Sequence, residues 1–176
     1  MRTLALIPHP ATPSPVVRSI TVHLRRLADT LVPTYLIEGK LEHVHIPAPR
    51  PPASAERLWQ HTCCEMFVAR KGSTAYHEFN FSPSGEWAAY GFAAYRQGGA
   101  LLTTTPPHIS VRASREKFEL DASVDCALRG TLLIALSTVI EHIDGSLSYW
   151  ALKHPSAKPD FHHPEALVLE LDEVRH

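Results

Sequence analysis

The fold of this chain is decided by residues 58–96, which read LWQHTCCEMFVARKGSTAYHEFNFSPSGEWAAYGFAAYR. Residues 63–69 and 76–82 each have the length and the β-branched or aromatic content of a strand, and a short polar segment between them predicts a turn. Pro83-Ser84-Gly85 is a second turn signal, and residues 87–95, rich in aromatic residues and alanine, predict a third strand. This stretch therefore predicts consecutive strands joined by short turns.

The remainder of the chain predicts further strands of the same kind. Apolar and polar residues alternate over residues 16–27 and 117–124, as in a strand with one buried face. Residues 131–140 are apolar on both faces, and their β-branched residues, followed by the hairpin signal Asp144-Gly145, favour a buried strand over a helix. Further strands are predicted at residues 34–38, 43–46, 147–152 and 167–171, and loops at residues 47–53, 97–99 and 103–107.

These patterns predict an all-β protein. Roughly eleven short strands are separated by turn signals, and no segment has a clear helical period. The chain also lacks the alternation of strands and helices that a parallel sheet requires, so an antiparallel β-sandwich is the expected architecture. A length of 176 residues fits a single domain spanning residues 1–176.

Composition and charge exclude several classes of protein. The net charge of −1 argues against a nucleic-acid-binding protein and against a polybasic membrane-surface protein, because both need a positive field. No apolar run of about 20 residues predicts a transmembrane helix. Prolines interrupt the apolar run near the N-terminus, so no secretion signal is predicted and a cytoplasmic location is expected. Reduced structural thiols are expected for the three cysteines.

A group of polar residues lies on the first two predicted strands of residues 58–96. Strand alternation places Glu78 and Asn80 on one face, and Glu65 lies on the neighbouring strand. Such carboxylate and amide groups, set among aromatic residues, are suited to hydrogen-bonding sugar hydroxyls or to supplying oxygen ligands for Ca²⁺. The alternative interpretation is a satisfied structural hydrogen-bond network at the rim of the sheet.

Aromatic residues offer a second possible binding element. Trp59, Trp87 and Trp150 have flat apolar faces on which the C–H face of a sugar ring can stack, and tyrosines 90, 95 and 149 offer similar surfaces. Each tryptophan has the alternative role of ordinary core packing. The sequence predicts that at least one of the three lines a pocket, without showing which.

The second informative stretch is SYWALKHPSAKPDFHHPEALVLEL, residues 148–171. Its loop carries His154, Lys158, Asp160 and His162, and loops at the ends of a sandwich commonly hold binding residues. Lys158 and Asp160 are candidate contacts for a ligand held by Trp150, or else solvent-exposed loop charges.

Metal and catalytic motifs are weak or missing. Residues 61–64 (HTCC) and 160–163 (DFHH) contain zinc-ligand types but no CxxC or HExxH pattern, so exposed or hydrogen-bonded histidines are the favoured interpretation. Met66 or a histidine could ligate heme iron, but without a CxxCH motif heme is not expected. Glu65 and Glu78 could be a glycosidase pair only if their carboxyl groups faced each other across a cleft.

The two stretches resemble the bacterial DOMON-like proteins, which are related to the family 9 carbohydrate-binding modules. The similarity is most specific at EFNFSPSGEWAAYGF and at YWALKHP…KPDFH, and it extends over nearly the whole chain. The resemblance implies a β-sandwich of jelly-roll-like topology, with a sugar- or heme-binding ancestry and structural Ca²⁺ in some relatives. It also implies ligand-contacting roles for Glu65, Glu78 and Asn80.

The resulting hypothesis is a non-catalytic domain that binds a small carbohydrate or another small molecule. Its candidate ligand-binding residues are Trp59, Glu65, Glu78, Asn80, Trp87, Trp150, Lys158, Asp160 and His162. Ca²⁺ is a possible cofactor. The alternatives are a redox module that holds heme or a metal, a hydrolase that uses Glu65 and Glu78, and a structural or protein-interaction domain.

Overall fold

Twelve β-strands and three short 3₁₀ turns form the regular structure in a computed structural model of the chain, which describes residues 1–173. The 3₁₀ turns span Leu41–His43, Leu58–Gln60 and Pro164–Ala166. None of the helical segments in these residues is long and apolar enough to cross a membrane. The strands are β1 (Arg2–Pro8), β2 (Val17–Leu27), β3 (Thr30–Gly39), β4 (Cys63–Arg70), β5 (Tyr76–Phe81), β6 (Trp87–Ala94), β7 (Gln97–Leu101), β8 (His108–Ala113), β9 (Lys117–Asp125), β10 (Leu132–Glu141), β11 (Leu147–Ala151) and β12 (Leu169–Leu171).

The strands form two antiparallel sheets, so the predicted antiparallel β-sandwich is confirmed. The first sheet has the order β1-β2-β3-β9-β8, and the second has the order β7-β6-β5-β4-β10-β11, with β12 also paired to β10. Strand β1 belongs to both sheets, because Leu6 pairs with Ile20 of β2 while Ile7 pairs with Ala151 of β11. The two sheets are therefore joined along one edge.

The main core lies between the sheets. The alternation predicted for β2 and β9 is confirmed, since Val22 and Leu120 are fully buried and belong to this core. Met66 of β4 and Ile134 of β10 enter the same core from the second sheet. Because Met66 is buried among apolar side chains between the sheets, it is not placed to ligate a heme.

The outer face of the second sheet is also partly covered. Residues 152–168, here called the covering loop, pack Phe161 and Ala166 against Phe67 of β4 and Ala135 of β10. Strand β10 is therefore buried on both faces, as the apolar residues on both of its faces predicted. The part of this face that the loop leaves open becomes the main cleft of the protein.

The sequence-based assignment of strands was wrong in several places. Residues 43–46 do not form a strand: a 3₁₀ turn ends at His43, and Val44 makes only an isolated bridge to His142. Residues 97–99, predicted as a loop, begin the glycine-rich edge strand β7, and strands β1 and β8 were not predicted. Most residues of β7 and β8 are exposed or half-buried, so they lack the apolar alternation that predicts a strand.

Candidate functional site

A cleft of about 800 Å³ opens on the outer face of the second sheet. Its floor is formed by Glu65 of β4, Glu78 of β5, Tyr90 of β6, Val139 of β10 and Tyr149 of β11. The segment 56–59 and the covering loop form its sides. With one residue each from β7 and the β6–β7 turn, six strands, one turn and two loops contribute to a single concave surface.

The strand register brings the predicted polar group together. Strands β4 and β5 pair Glu65 directly with Asn80, and Phe67 with Glu78. Residues directly opposite each other point to the same face of a sheet, so all three polar residues lie on the outer face. The sequence predicted a shared face for Glu78 and Asn80. The amide nitrogen of Asn80 donates a hydrogen bond of 3.0 Å to Oε1 of Glu78. All three side chains are buried, with Glu65 only 2% exposed.

A row of buried polar residues crosses three strands beneath the cleft. Asn80, Glu65 and Ser137 are successive partners on β5, β4 and β10. Within residues 1–173, Oδ1 of Asn80, Oε1 of Glu65 and Oγ of Ser137 have no hydrogen-bond partner. A fourth such atom, Oγ1 of Thr138, lies on the opposite face of β10 and outside this row. Buried polar atoms in folded proteins nearly always have partners, so three neighbouring exceptions make this row a candidate binding site. Glu65 is the member that reaches the cleft surface.

The pKa values of the two carboxyl groups on the cleft floor are both raised. Burial raises the pKa of Glu65 well above its usual range, and the neighbouring Glu78 raises it further. Burial also raises the pKa of Glu78 to about 7, although the hydrogen bond from Asn80 and the charge of Arg96 act in the opposite direction. The raised pKa of Glu65 favours its uncharged form, and a pKa of about 7 leaves Glu78 partly protonated near neutral pH.

The covering loop is fixed to the second sheet through Asp160. Its carboxylate accepts hydrogen bonds from the hydroxyl of Tyr95 at 2.6 Å and from the guanidinium of Arg96 at 2.9 Å. It also accepts one from the backbone nitrogen of His162 at 3.1 Å. Burial alone would raise the pKa of Asp160, but the hydrogen bonds from Tyr95 and Arg96 outweigh burial and lower it. Asp160 therefore positions the loop that forms one side of the cleft.

His162 connects the same loop to the cleft floor. Its Nδ1 lies 2.9 Å from the hydroxyl of Tyr76, and its Nε2 lies 3.6 Å from Oε2 of Glu78. Burial and then the positive charge of Arg96 lower the pKa of His162 to about 4, against the opposing effect of Asp160. His162 is thus neutral at neutral pH, and its contact with Glu78 is not an ion pair there.

The structure separates the three tryptophans. Trp59 is 48% exposed and lines the cleft, as does Lys158 of the covering loop. Trp87 and Trp150 are only 8% and 4% exposed and belong to the core between the sheets, so we withdraw both from the candidate site. Strand alternation explains the difference, because Trp87 pairs with Phe81, which points away from the face that carries Glu78.

Several residues of the cleft were not assigned to the site from the sequence. Arg96 has a backbone φ of 53° in the turn between β6 and β7, and its contact with Asp160 spans 64 positions of the chain. Tyr90 and Tyr149 were noted as aromatic surfaces without a defined place. Glu56 and Arg57 gave no signal, because isolated charges in a loop are usually solvated. For Ser137, the Ser137-Thr138 pair of hydroxyl residues inside an apolar run was the sequence signal.

The zinc-ligand types of the two segments 61–64 and 160–163 do not come together in a shared site within residues 1–173. Cys63, Cys64 and Cys126 are free thiols, and all three are buried. Cys63 and Cys64 belong to different apolar clusters on opposite faces of β4, whereas the His61 side chain is 54% exposed. His162 and Asp160 hold the covering loop, as described above. The possibility of Ca²⁺ remains a prediction.

Replacing Asp160 with alanine is expected to lower the free energy of unfolding by about 1–3 kcal/mol, because Tyr95 and Arg96 lose their acceptor. Chemical denaturation followed by circular dichroism measures the change. The control is Glu165→Ala, which removes an exposed carboxylate of the same loop from its 3.3 Å contact with Lys153 and should cost less than about 0.5 kcal/mol. Equal effects of the two substitutions would contradict the anchoring role of Asp160.

Comparison with known proteins shows similarity of fold. No protein-family model matches the sequence, and a search of curated proteins finds no significant match. Among solved structures, the chain resembles a protein from Bacteroides uniformis ATCC 8492 whose assignment as carbohydrate-binding is provisional. That match has a TM-score of 0.72 and 15% sequence identity, and it covers 94% of this chain and 84% of the other.

A family 9 carbohydrate-binding module from Caldicellulosiruptor kristjanssonii is also similar. Its complex with cellotriose matches with a TM-score of 0.61 and 6% identity, over 97% of this chain and 81% of that one. Its complex with glucose matches with a TM-score of 0.57 and 7% identity, over 92% and 78% of the two chains. At these identities the likeness shows a shared β-sandwich fold. It agrees with the expected relation to family 9 modules at that level, and the narrower DOMON-like resemblance remains a prediction.

Proposed function

We propose that the cleft binds a neutral carbohydrate and that the protein does not convert it chemically. The observation that carries this proposal is the combination, in one cleft, of an exposed Trp59 at the rim and buried polar atoms without partners at the floor. A sugar ring offers an apolar C–H face and a set of hydroxyl groups at its edge, and this cleft provides surfaces for both.

The electrostatics of the cleft favour an uncharged ligand. Burial and the neighbouring Glu78 raise the pKa of Glu65, which favours its uncharged form. The carboxylate of Asp160 lies 2.9 Å from the Arg96 guanidinium and balances its charge. The two basic side chains Lys158 and Arg57 share the cleft with two acidic ones, Glu56 and the partly ionised Glu78. A ligand that contributes hydroxyl groups and no net charge suits such a balanced surface better than an anion or a cation.

The geometry favours binding over glycoside hydrolysis. A glycosidase needs two carboxyl groups that flank the scissile bond from different sides. Glu65 and Glu78 lie instead on adjacent paired strands of the same floor, so they approach a ligand from the same side. Both also have raised pKa values, whereas a hydrolase needs one carboxylate that stays ionised. This arrangement supports a binding role for the pair.

The similarity of fold to a module solved with cellotriose and with glucose adds support of a different kind. It suggests glucose and short β-linked glucose oligomers as the first ligands to test. The residues that would contact them in this chain are assigned from its own cleft. They are Trp59, Glu65, Glu78, Tyr90, Tyr149 and Lys158.

The test is a titration of the protein with glucose, cellobiose and cellotriose, with and without Ca²⁺, followed by calorimetry and thermal unfolding. We expect at least one sugar to bind and to raise the melting temperature. In the same assay Trp59→Ala should weaken binding about 10- to 100-fold, since losing roughly 60–120 Å² of stacking contact costs about 1.5–3 kcal/mol.

The matched control is Val111→Ala, which shortens an exposed apolar side chain on β8, in the other sheet. This variant should bind the sugar like the wild-type protein. Both substitutions should leave the unfolding free energy within about 0.5 kcal/mol of the wild-type value, because both residues are exposed. If no sugar binds to the wild-type protein, or if Trp59→Ala binds it unchanged, the proposal is wrong.

A further inference from the structure

Two histidines and a glutamate converge outside the main cleft. His45 follows the 3₁₀ turn Leu41–His43, His61 follows the turn Leu58–Gln60, and Glu141 ends β10. The Nδ1 atoms of both histidines lie 2.7 Å from the same oxygen of Glu141, Oε2. The three potential ligand atoms all lie within 4.8 Å of one another, which makes this the one group of at least three such residues found in residues 1–173.

Backbone and side-chain hydrogen bonds fix the positions of these three residues. The backbone nitrogen of His45 donates to the carbonyl oxygen of Glu141 at 2.8 Å. The hydroxyl of Thr62, next to His61, donates to the carbonyl oxygen of His45 at 2.7 Å and accepts from the backbone nitrogen of Glu141 at 3.0 Å. Thr62 is itself buried. The three segments are therefore held together whether or not the side chains bind anything.

We propose that His45, His61 and Glu141 form a binding site for a divalent transition-metal ion, with Zn²⁺ as the best-suited ion. Two imidazole nitrogens and one carboxylate oxygen are a ligand set that zinc sites use, and Zn²⁺ accepts such ligands at about 2.0–2.2 Å. Ligand atoms around a tetrahedral ion are then about 3.4 Å apart. The two present distances from the imidazole Nδ1 atoms to Oε2 of Glu141 are 2.7 Å each, and each needs to widen by less than 1 Å.

The side chains are free to make that adjustment. Each histidine side chain is 54% exposed, so the imidazoles can rotate without disturbing the core. The Glu141 side chain is only 19% exposed, which makes it the fixed member of the group. In the metal-free arrangement the Nδ1–H group of each imidazole donates a hydrogen bond to Glu141. To bind a metal ion, each neutral imidazole would carry its proton on Nε2 instead and coordinate through Nδ1.

The geometry also indicates the kind of site. Three protein ligands leave at least one position of a tetrahedral ion open to water or to an external ligand, unlike a closed structural site with four protein ligands. An adjacent groove is lined by His45 and His61 together with Glu56 and Arg57, and these last two residues also line the main cleft. His61 lies two residues after Trp59 in the chain. A bound ion would therefore crosslink the segment that carries Trp59 to the end of β10.

The test uses the full chain and the metal alone, so its outcome is independent of sugar binding. We expect calorimetric titration with Zn²⁺ to give one tight site per chain. We also expect Co²⁺ to produce the visible absorption bands of a four- or five-coordinate ion. His61→Ala and Glu141→Gln should each weaken Zn²⁺ binding at least tenfold and remove the Co²⁺ bands. His108→Ala, which removes an exposed histidine from β8, should change neither result.

Other histidines among the twelve of the chain can bind Zn²⁺ weakly, which is why affinity and stoichiometry are compared across variants. Circular dichroism of each metal-free variant shows that it is folded before titration. The exposure of His61 and the nearly identical size of glutamine at position 141 favour that outcome. If the wild-type protein binds Zn²⁺ no more tightly than His61→Ala, or if His108→Ala weakens binding as much, the assignment is wrong.

Discussion

Glu78→Gln is expected to gain about 3 kcal/mol of stability relative to the wild-type protein when the pH is raised from 4.5 to 8. Burial raises the pKa of Glu78 from its ordinary value of 4.5 to about 7 in the folded protein. A carboxyl group with a raised folded-state pKa stabilises the fold below pH 4.5, and this stabilisation is lost as the pH rises through 7. The difference corresponds to about 1.4 kcal/mol per pKa unit.

Glutamine reproduces the protonated form of Glu78 at every pH. It has nearly the same size, and its carbonyl oxygen can still accept the hydrogen bond from Asn80. The variant and the wild-type protein should therefore have similar stability at pH 4.5, and the variant should be the more stable of the two at pH 8. Urea unfolding at a series of pH values measures the difference directly.

The comparison between variant and wild-type protein is needed because other groups also titrate in this range. His162 has a pKa lowered to about 4, so its contribution to stability is lost as the pH falls from about 6.5 to 4, opposite in sign to that of Glu78. The raised pKa of Glu65 changes stability with pH in the same direction as that of Glu78. Replacing Glu78 also removes one of the two causes that raise the pKa of Glu65. A Glu42→Gln variant, which changes an exposed residue, should show no such pH-dependent difference. A constant difference between Glu78→Gln and wild type would disprove the raised pKa.

The face on which the polar cluster lies could be predicted from strand alternation alone. Glu78 and Asn80 are two positions apart, and a turn of a few residues joins their strand to the one that carries Glu65. Local pattern fixes such a relationship because the side-chain period of a strand is two residues. Alternation in β2 and β9 likewise predicted the apolar face that packs in the core. Short-range patterns therefore predicted the β-sandwich and two of the five floor residues, Glu65 and Glu78.

The rest of the site depends on contacts that local pattern does not encode. Asp160 meets Arg96 only because the covering loop returns across the sheet, over a separation of 64 positions. The convergence on Glu141 likewise involves two distant residues, His61 and His45, which lie 80 and 96 positions before it in the chain. The side of the sheet on which Trp87 lies depends on the exact turn after Phe81, where a change of one residue reverses the face.

Trp150→Ala is expected to reduce the free energy of unfolding by about 3–5 kcal/mol, the usual cost of deleting a buried tryptophan side chain. Trp150 is 4% exposed and belongs to the main core. Its strand position pairs with Thr138 of β10 on one side and with Pro8 of β1 on the other, at the edge where the two sheets are joined. A cavity there removes packing that both sheets share.

Trp150→Phe is the graded control for this substitution. Phenylalanine retains most of the apolar volume and loses the 3.2 Å hydrogen bond that the indole nitrogen donates to Ser148, so the cost should be clearly smaller than that of alanine. Circular dichroism rather than tryptophan fluorescence should follow the unfolding, because the substitution removes a fluorophore. Trp59→Ala provides the opposite case, with unchanged stability and weakened ligand binding. If Trp150→Ala instead left stability within about 1 kcal/mol of the wild-type value and abolished ligand binding, Trp150 would belong to the binding site after all.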